Sequence, residues 1–369
     1  MGKYAPFVWY WQQIDIIIIL LNIAYAVGDP LLKQNNAKAG EKMEQETKTT
    51  ANQENQNQEA QNKKIKNVAF IGLGSLGTMY GKFFADTIGV ANTYVIANAE
   101  RIERYRHDGI LYNDEPCSFT YVDTTAAHEP FDLVIFAVKG YHLRQAMADA
   151  AKFIGENTII LSVLNGVTSE SILAEKFGAE KVIYCIAQGM SAVRTGNNLC
   201  CHGMGTLVIG DPKNNRTEQM RRLVDFFAKI GIAYQVSEDI LHHLWGKLML
   251  NVGCNQVTAA YDLTFGPIQK QGRYRDIMRS AMEEVIAVAN AEGVLMNEKD
   301  LAYWLGVFDK LPADGSTSMW QDVTAKRRTE IDLFAGTVMA LGKKHGIATP
   351  VNEMLYGIIR AKEKAYGIE

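Results

Sequence analysis

The stretch NVAFIGLGSLGTMYGKFFADTIG, residues 67–89, constrains this chain more than any other. A short apolar run, Val68 to Ile71, leads into Gly72, Leu73, Gly74, Ser75, Leu76 and Gly77, a G-x-G-x-x-G pattern, and then into a helical period. In a strand, turn and helix setting the three glycines permit a tight turn, close approach of backbone to a pyrophosphate, and close packing of helix on strand. The helix N-terminus then faces the phosphates. Taken alone the pattern also fits a glycine-rich turn in some other α/β protein.

The surrounding chain favours the first reading. TYVIAN follows at the expected distance, then DLVIFAV (132–138), TIILSVL (158–164) and KVIYCIA (181–187), with helical stretches between several of them. Continuous apolar runs alternating with helices predict a parallel sheet covered on both faces. Asn98 stands where the second strand ends, the position that sets cofactor choice, since an acid there bonds the ribose 2′-hydroxyl and repels a 2′-phosphate. With no acid present and Arg101 and Arg104 just beyond, NADPH is favoured over NADH, unless both arginines merely solvate a helix face. Lys139 and Asn165 follow two further strands, at the edge where nicotinamide and substrate would meet. Each could equally be a turn residue.

From Asp239 to about Lys364 the chain reads as almost wholly helical, after a strand and turn in GTLVIGDP. Within the apolar run LHHLWGKLMLNVGCNQVTAAY, Lys247, Asn251 and Asn255 are spaced four apart. At about 100° per residue they share one face, a polar stripe that requires partners from other side chains or a ligand. A second cluster lies in STSMWQDVTAKRRTEID. There Ser318 reads as preceding a helix, as an N-cap with Gln321 completing a capping box, and Glu330 as lying inside it, with a surface ion pair to Arg327 as its plain structural reading. The predicted fold is therefore α/β: an N-terminal Rossmann-type parallel-sheet domain over 65–237 and a mostly α-helical substrate and catalytic domain over 238–369, preceded by an apolar segment and polar linker over 1–64.

A net charge of −3 gives no basic footprint and makes nucleic acid an unsuitable partner. Cys117, Cys185, Cys200, Cys201 and Cys254 lack metal-ligand spacing and read as reduced core thiols, which points to a reducing compartment and to no metal. Residues 7–28 approach membrane-spanning length but contain Gln12, Gln13 and Asp15. A membrane anchor facing the cytoplasm, an export signal and an extension from an early start, with Met43 as an alternative, all remain open for residues 1–64. The linker composition cannot bury enough surface to fold, so this region is expected to be dispensable for chemistry. Cytoplasmic location and a homodimer are compatible with the remainder.

The combination of GLGSLG, VKGYH, LNG, the Lys247 stripe, STSMWQDV with RRTEID, and HGIATP resembles the ketopantoate reductases, or 2-dehydropantoate 2-reductases, in order from about Lys66 to Lys364. The resemblance implies NADPH-dependent reduction of 2-dehydropantoate to pantoate, on the route to pantothenate and coenzyme A. It further implies Lys247 as catalytic lysine, Glu330 as active-site glutamate, Asn251 and Asn255 as substrate-binding asparagines, and Ser318 as the carboxylate-contacting serine. Asn165 and Lys139 match positions near cofactor and substrate. Asn98 departs from the arginine the family often carries for the 2′-phosphate. Reducing a 2-keto acid places negative charge on the carbonyl oxygen, so a proton donor must stand beside it, and Lys247, lowered by burial and raised again by a carboxylate such as Glu330, suits that role. A reductase of another branched 2-keto acid on the same scaffold, or a non-catalytic dinucleotide sensor, are the alternatives.

Overall fold

The computed structural model describes residues 64–368. The apolar segment 7–28 and the polar linker lie outside the described residues. Strand β1 (Val68–Ile71) leads into helix α1 (Ser75–Ile88), and β2 (Thr93–Ala97) into α2 (Ala99–Asp108). Two short strands, β3 (Leu111–Tyr112) and β4 (Glu115–Pro116), precede β5 (Thr120–Asp123). Then come β6 (Leu133–Phe136), α3 (Leu143–Ala150), β7 (Ile159–Ser162), α4 (Ser169–Phe177) and β8 (Val182–Gln188). Strands β9 (Ser191–Thr195), β10 (Asn198–His202) and β11 (Thr206–Gly210), helix α5 (Glu218–Ile230) and β12 (Tyr234–Val236) complete this part.

The main sheet has the order β12-β11-β8-β7-β6-β1-β2-β5. Strands β1, β6 and β7 are buried along their whole length, which is why their sequences show continuous apolar runs without alternation. Because β2 and β6 pair with β1 on opposite sides, the chain direction of winding reverses at β1, leaving a crevice at the carboxyl ends of β1 and β6. One neighbour departs from the all-parallel expectation: β11 runs antiparallel to β8, Thr206 opposite Gln188 through Gly210 opposite Tyr184. The cause is the β9–β10 hairpin, which returns the chain beside β8 and forms a second sheet of order β4-β3-β10-β9 that the sequence reading did not contain.

The remainder is helical: α6 (Ile240–Tyr261), α7 (Phe265–Gln269), α8 (Arg273–Ala291), α9 (Glu298–Phe308), α10 (Ser318–Thr324), a π turn at Asp332–Gly336, α11 (Thr337–His345) and α12 (Pro350–Ala365). Helix α6 starts at Asp239, whose side chain accepts from the His242 N–H, and stops at Asp262 in the left-handed region, φ 55°. It is apolar almost all round because α8, α10 and α12 pack about it, and Leu248, Met249, Val252 and Val257 are 0 to 1% exposed. The central position of α6 fixes its polar stripe relative to the sheet. Among the described residues no helix is long and apolar enough to cross a membrane.

Candidate active site

The glycine turn is built as its spacing requires. Gly72 has φ +94°, and a Cβ there would lie 2.7 Å from the Ala137 carbonyl oxygen; one on Gly77 would lie 2.0 Å from the Gly72 oxygen. A side chain at Gly77 would force helix α1 off the end of β1, and one at Gly72 would collide with the chain that follows β6. A Cβ on Gly74 would meet only the Ala137 oxygen, at 3.7 Å, so the middle of the turn presents open backbone toward the crevice. Across the loop, Arg194 of β9 donates from Nη1 to the Leu73 carbonyl at 2.6 Å, and burial lowers its guanidinium from the ordinary value. Nothing in the sequence marked Arg194, because the small sheet that brings it here was not legible.

Asn98 N-caps α2, its Oδ1 accepting from the Arg101 N–H at 2.9 Å. Asn98 and Arg101 line a cavity of about 110 Å³ with His142, Gln145 and Asp149. His142 is held below the usual imidazole range by burial, with the fields of Arg101 and Arg328 adding to the effect. Arg104 lies over the Tyr105 ring, 5.9 Å from its centroid, and is not part of the cavity wall.

At the carboxyl edge of β6, Lys139 Nζ donates to Glu330 Oε2 and Asp322 Oδ2, each at 3.0 Å. Glu330 also accepts from Asn165 Nδ2 at 3.4 Å and from the Gly140 N–H at 3.4 Å. Glu330 and Asp322 are 6% and 5% exposed, so this is a largely buried network. Burial alone would lower the Lys139 ammonium; the two carboxylates outweigh it and hold the group above the ordinary lysine range. The π turn seats the network, since Leu333 packs over Gly140 and Gly166, the turns after β6 and β7.

Three local expectations are corrected here. Glu330 lies outside any helix: α10 ends at Thr324, Lys326 takes φ 53°, and the chain bends through residue 330 into the π turn. Arg327 is not its partner, for its Nε donates to Asp322 Oδ1 at 3.0 Å. The N-cap of α10 is Thr317, which accepts from the Trp320 N–H, and not Ser318. That one-residue shift frees the Ser318 hydroxyl, which donates to Asn255 Oδ1 at 3.2 Å.

The stripe on α6 forms as its spacing predicts. Asn255 Nδ2 donates to Asn251 Oδ1 at 3.1 Å, while Asn255 Oδ1 accepts from Ser318 and from the Met319 N–H at 3.3 Å. Lys247 Nζ donates to the Ala187 carbonyl at 2.7 Å, at the end of β8. Burial pushes its ammonium down to about 8, against the pull of Cys185, Glu330 and Glu170. Glu330 therefore reaches Lys247 through its field, and its hydrogen bonds go to Lys139, Asn165 and Gly140. Asp322, missed in the sequence, had a signal: an acid four residues after Ser318, on a segment otherwise apolar or neutral.

The ketopantoate reductase PanE/ApbA family matches over residues 68–214, and the C-terminal part of the same family over 239–363. The chain belongs to the ketopantoate reductase family. Membership makes it an oxidoreductase of the kind acting on CH–OH groups. It is 28% identical to the 2-dehydropantoate 2-reductase of Aquifex aeolicus over 301 residues, 79% of this chain and 96% of that one. Among solved structures it is similar to a PanE/ApbA family ketopantoate reductase from Ralstonia eutropha, 27% identical with a TM-score of 0.71, covering 81% of this chain and 99% of that one. It also shares its fold with a D-mandelate dehydrogenase solved with NADH and anilino(oxo)acetate, 21% identical with a TM-score of 0.72, covering 82% and 100% of the two chains.

Proposed function

We propose that the protein reduces 2-dehydropantoate to pantoate with NADPH. The observation that supports this best is the stripe on α6: Asn251 and Asn255 bonded to each other and to Ser318, with Lys247 one turn earlier on the same face and an ammonium lowered to about 8. In this reading residues 65–237 bind the dinucleotide and 238–369 supply the groups that hold and protonate the substrate. The glycine turn fits a dinucleotide, because Gly72 and Gly77 bring helix and strand together while Gly74 leaves backbone N–H groups uncovered. The nicotinamide cofactor, when bound there, supplies the hydride.

The chain's own residues do the rest. Lys247 donates its proton to the carbonyl oxygen as charge develops on it, and a lysine lowered to about 8 is a better acid near neutrality than an ordinary one. Asn251 and Asn255 bond the hydroxyl and carbonyl groups of the substrate, and the exposed Ser318 hydroxyl bonds its carboxylate. Glu330 and Asp322 hold Lys139 in place at the carboxyl edge of β6. Arg101 favours a 2′-phosphate in the cavity beside Asn98.

The test is oxidation of NADPH, and of NADH in parallel, against a panel of 2-keto acids. 2-Dehydropantoate should give the highest kcat/KM. A better substrate among aryl or other branched 2-keto acids would overturn the assignment while leaving the scaffold reading intact; no turnover with any would favour a dinucleotide sensor.

A further inference from the structure

Residues 327–330, between α10 and the π turn, have no regular secondary structure, so no ladder of backbone bonds fixes the direction of the Glu330 side chain. Helix α12 supplies what the segment lacks. Glu363, 0% exposed, accepts on Oε1 from the Thr329 N–H at 2.6 Å and from the Thr329 hydroxyl at 2.7 Å. Its Oε2 accepts from Arg360 Nη1 at 2.8 Å, one turn earlier on the same helix. Beyond Glu330, Arg360 Nη2 donates to both oxygens of Asp332, each at 2.8 Å, and the Tyr356 hydroxyl donates to Asp332 Oδ1 at 2.9 Å. The chain is thus gripped on both sides of Glu330.

Holding one backbone N–H does not need a buried charge. A glutamine at 363 could accept from Thr329 as well, and a buried carboxylate costs stability unless it is paired and its oxygens are bonded. Both conditions hold for Glu363. Charge-assisted bonds are the stronger kind, and a fully satisfied buried network fixes a single arrangement. The helix that carries it is itself tied to the stripe: Lys362 Nζ donates to the Ala259 carbonyl at 2.9 Å and to Asp262 Oδ2 at 2.8 Å, where α6 ends. Helix α12 therefore relates Glu330 to α6. Glu330 in turn reaches the sheet part through Lys139 at 3.0 Å and through Gly140 and Asn165 at 3.4 Å, and a small rotation of residues 329–331 would release the two longer bonds.

We propose that Glu363 and Arg360 are positioning residues for the reduction: from α12 they clamp the chain at Thr329 and Asp332 and so hold the Glu330 carboxylate against Lys139, Gly140 and Asn165. This rests on the reading of Glu330 as a group of the active site. Neither clamp residue touches the crevice groups directly; each acts through the backbone that carries Glu330. Arg360 is the hinge of the arrangement, because one guanidinium bonds the acid before Glu330's turn and the acid after it. Its planar fork suits two acids at once, which a lysine could serve only in part.

The experiment measures kcat, KM and the Kd for NADPH in the full chain for Arg360→Ala, Arg360→Lys and Glu363→Gln, each made both in the parent and in the Glu330→Ala background. Alongside it, the acetylation rate of Lys139, whose side chain is 37% exposed, is followed by mass spectrometry on the folded protein. Arg360→Ala should lower kcat about ten- to a hundredfold, as for a reacting group displaced by up to about 1 Å, with the Kd for NADPH near that of the parent. Arg360→Lys should recover part of the loss. In the Glu330→Ala background the same substitutions should add little, since the group they position is gone. Lys139 should label faster in Arg360→Ala, approaching the rate in Glu330→Ala. Thr329→Val, which removes only the hydroxyl bond, should show the same pattern more weakly and serves if the charge variants do not fold. Losses of equal size in both backgrounds, or a kcat left at the parent value with only thermal stability reduced, would make the clamp structural and overturn the proposal. If Glu330→Ala itself keeps full turnover, the active-site reading of Glu330 fails, and the labelling rate alone decides: faster labelling in Arg360→Ala upholds the clamp, and an unchanged rate refutes it.

Discussion

Glu330 Oε2 accepts from Lys139 Nζ at 3.0 Å, so the buried carboxylate of the site anchors a lysine of the sheet part rather than the lysine of α6. This relocates the strongest energetic coupling. Glu330→Ala should slow turnover, and a double-mutant cycle between Lys139→Ala and Glu330→Ala should show an interaction of about 0.5–3 kcal/mol in kcat/KM, as for residues in direct contact. The Lys247→Ala and Glu330→Ala pair, joined by field alone, should come closer to additivity. Equal non-additivity in both cycles would mean that Glu330 shifts onto Lys247 when substrate binds.

Asp322 should matter to stability as well as to rate. It accepts from Lys139 and from Arg327 while only 5% exposed, so Asp322→Ala strips both cations of a carboxylate. Removing one partner of a fully buried pair costs about 3–5 kcal/mol, but the Lys139 side chain keeps 37% of its exposure and water screens it. A loss of about 1–3 kcal/mol in denaturant unfolding is expected, smaller for Asp322→Asn, which keeps the hydrogen-bonding shape. A loss below 0.5 kcal/mol would show the network to be ornamental to the fold.

How far these features could be read in the sequence depended on whether they were local. The glycine turn and the α6 stripe are set by contacts within a few residues, and their spacing announced them. Residues 239–262 even carry their own start and stop, Asp239 and Asp262. What was lost depended on distant segments meeting. The pairing of β11 against β8 follows from a hairpin whose strands, partly exposed on alternate residues, give weak apolar signals. Arg194 reaches Leu73 across 121 residues, and Lys139 reaches Glu330 across 191. No periodicity encodes such a meeting. The misplacement of Glu330 within a helix had a local cause: RRTEID has ordinary helix formers, and only the left-handed Lys326 and the π turn break it.

Cofactor choice should rest on Arg101 and not on Arg104. Arg101 lines the cavity beside Asn98 with His142, whereas Arg104 lies against Tyr105. Arg101→Ala should raise the Kd for NADPH several-fold more than that for NADH, while Arg104→Ala leaves their ratio within twofold. Asn98→Ala should cost about 0.5–2 kcal/mol of stability through loss of the α2 cap, which a Tm measurement would detect. Fluorescence titration with both dinucleotides separates the arginines. Tighter binding of NADH by the parent chain would remove the 2′-phosphate assignment altogether.

The Lys247 ammonium sets the sharpest expectation, because one group fixes both a rate and a stability profile. Donation requires the charged form, so kcat/KM should fall as pH rises through about 8. Lys247→Ala should abolish that limb and lower kcat by about 10² to 10⁴, with the Kd for NADPH near that of the parent, since the glycine turn holds the cofactor. Asn251→Ala should instead raise KM more than it lowers kcat. For stability the sign follows from the depressed value: between about 8 and 10.5 the unfolded chain holds a proton on this lysine that the folded chain has released. Its contribution therefore rises with pH across that window and is least favourable below it, where the buried ammonium must be charged. Lys247→Met, apolar and of similar length, should flatten this rise and gain most stability relative to the parent below pH 8. A parent chain whose rate and unfolding free energy both ignore pH between 8 and 10.5 would show an ordinary exposed lysine, and the proton donor would have to be sought elsewhere.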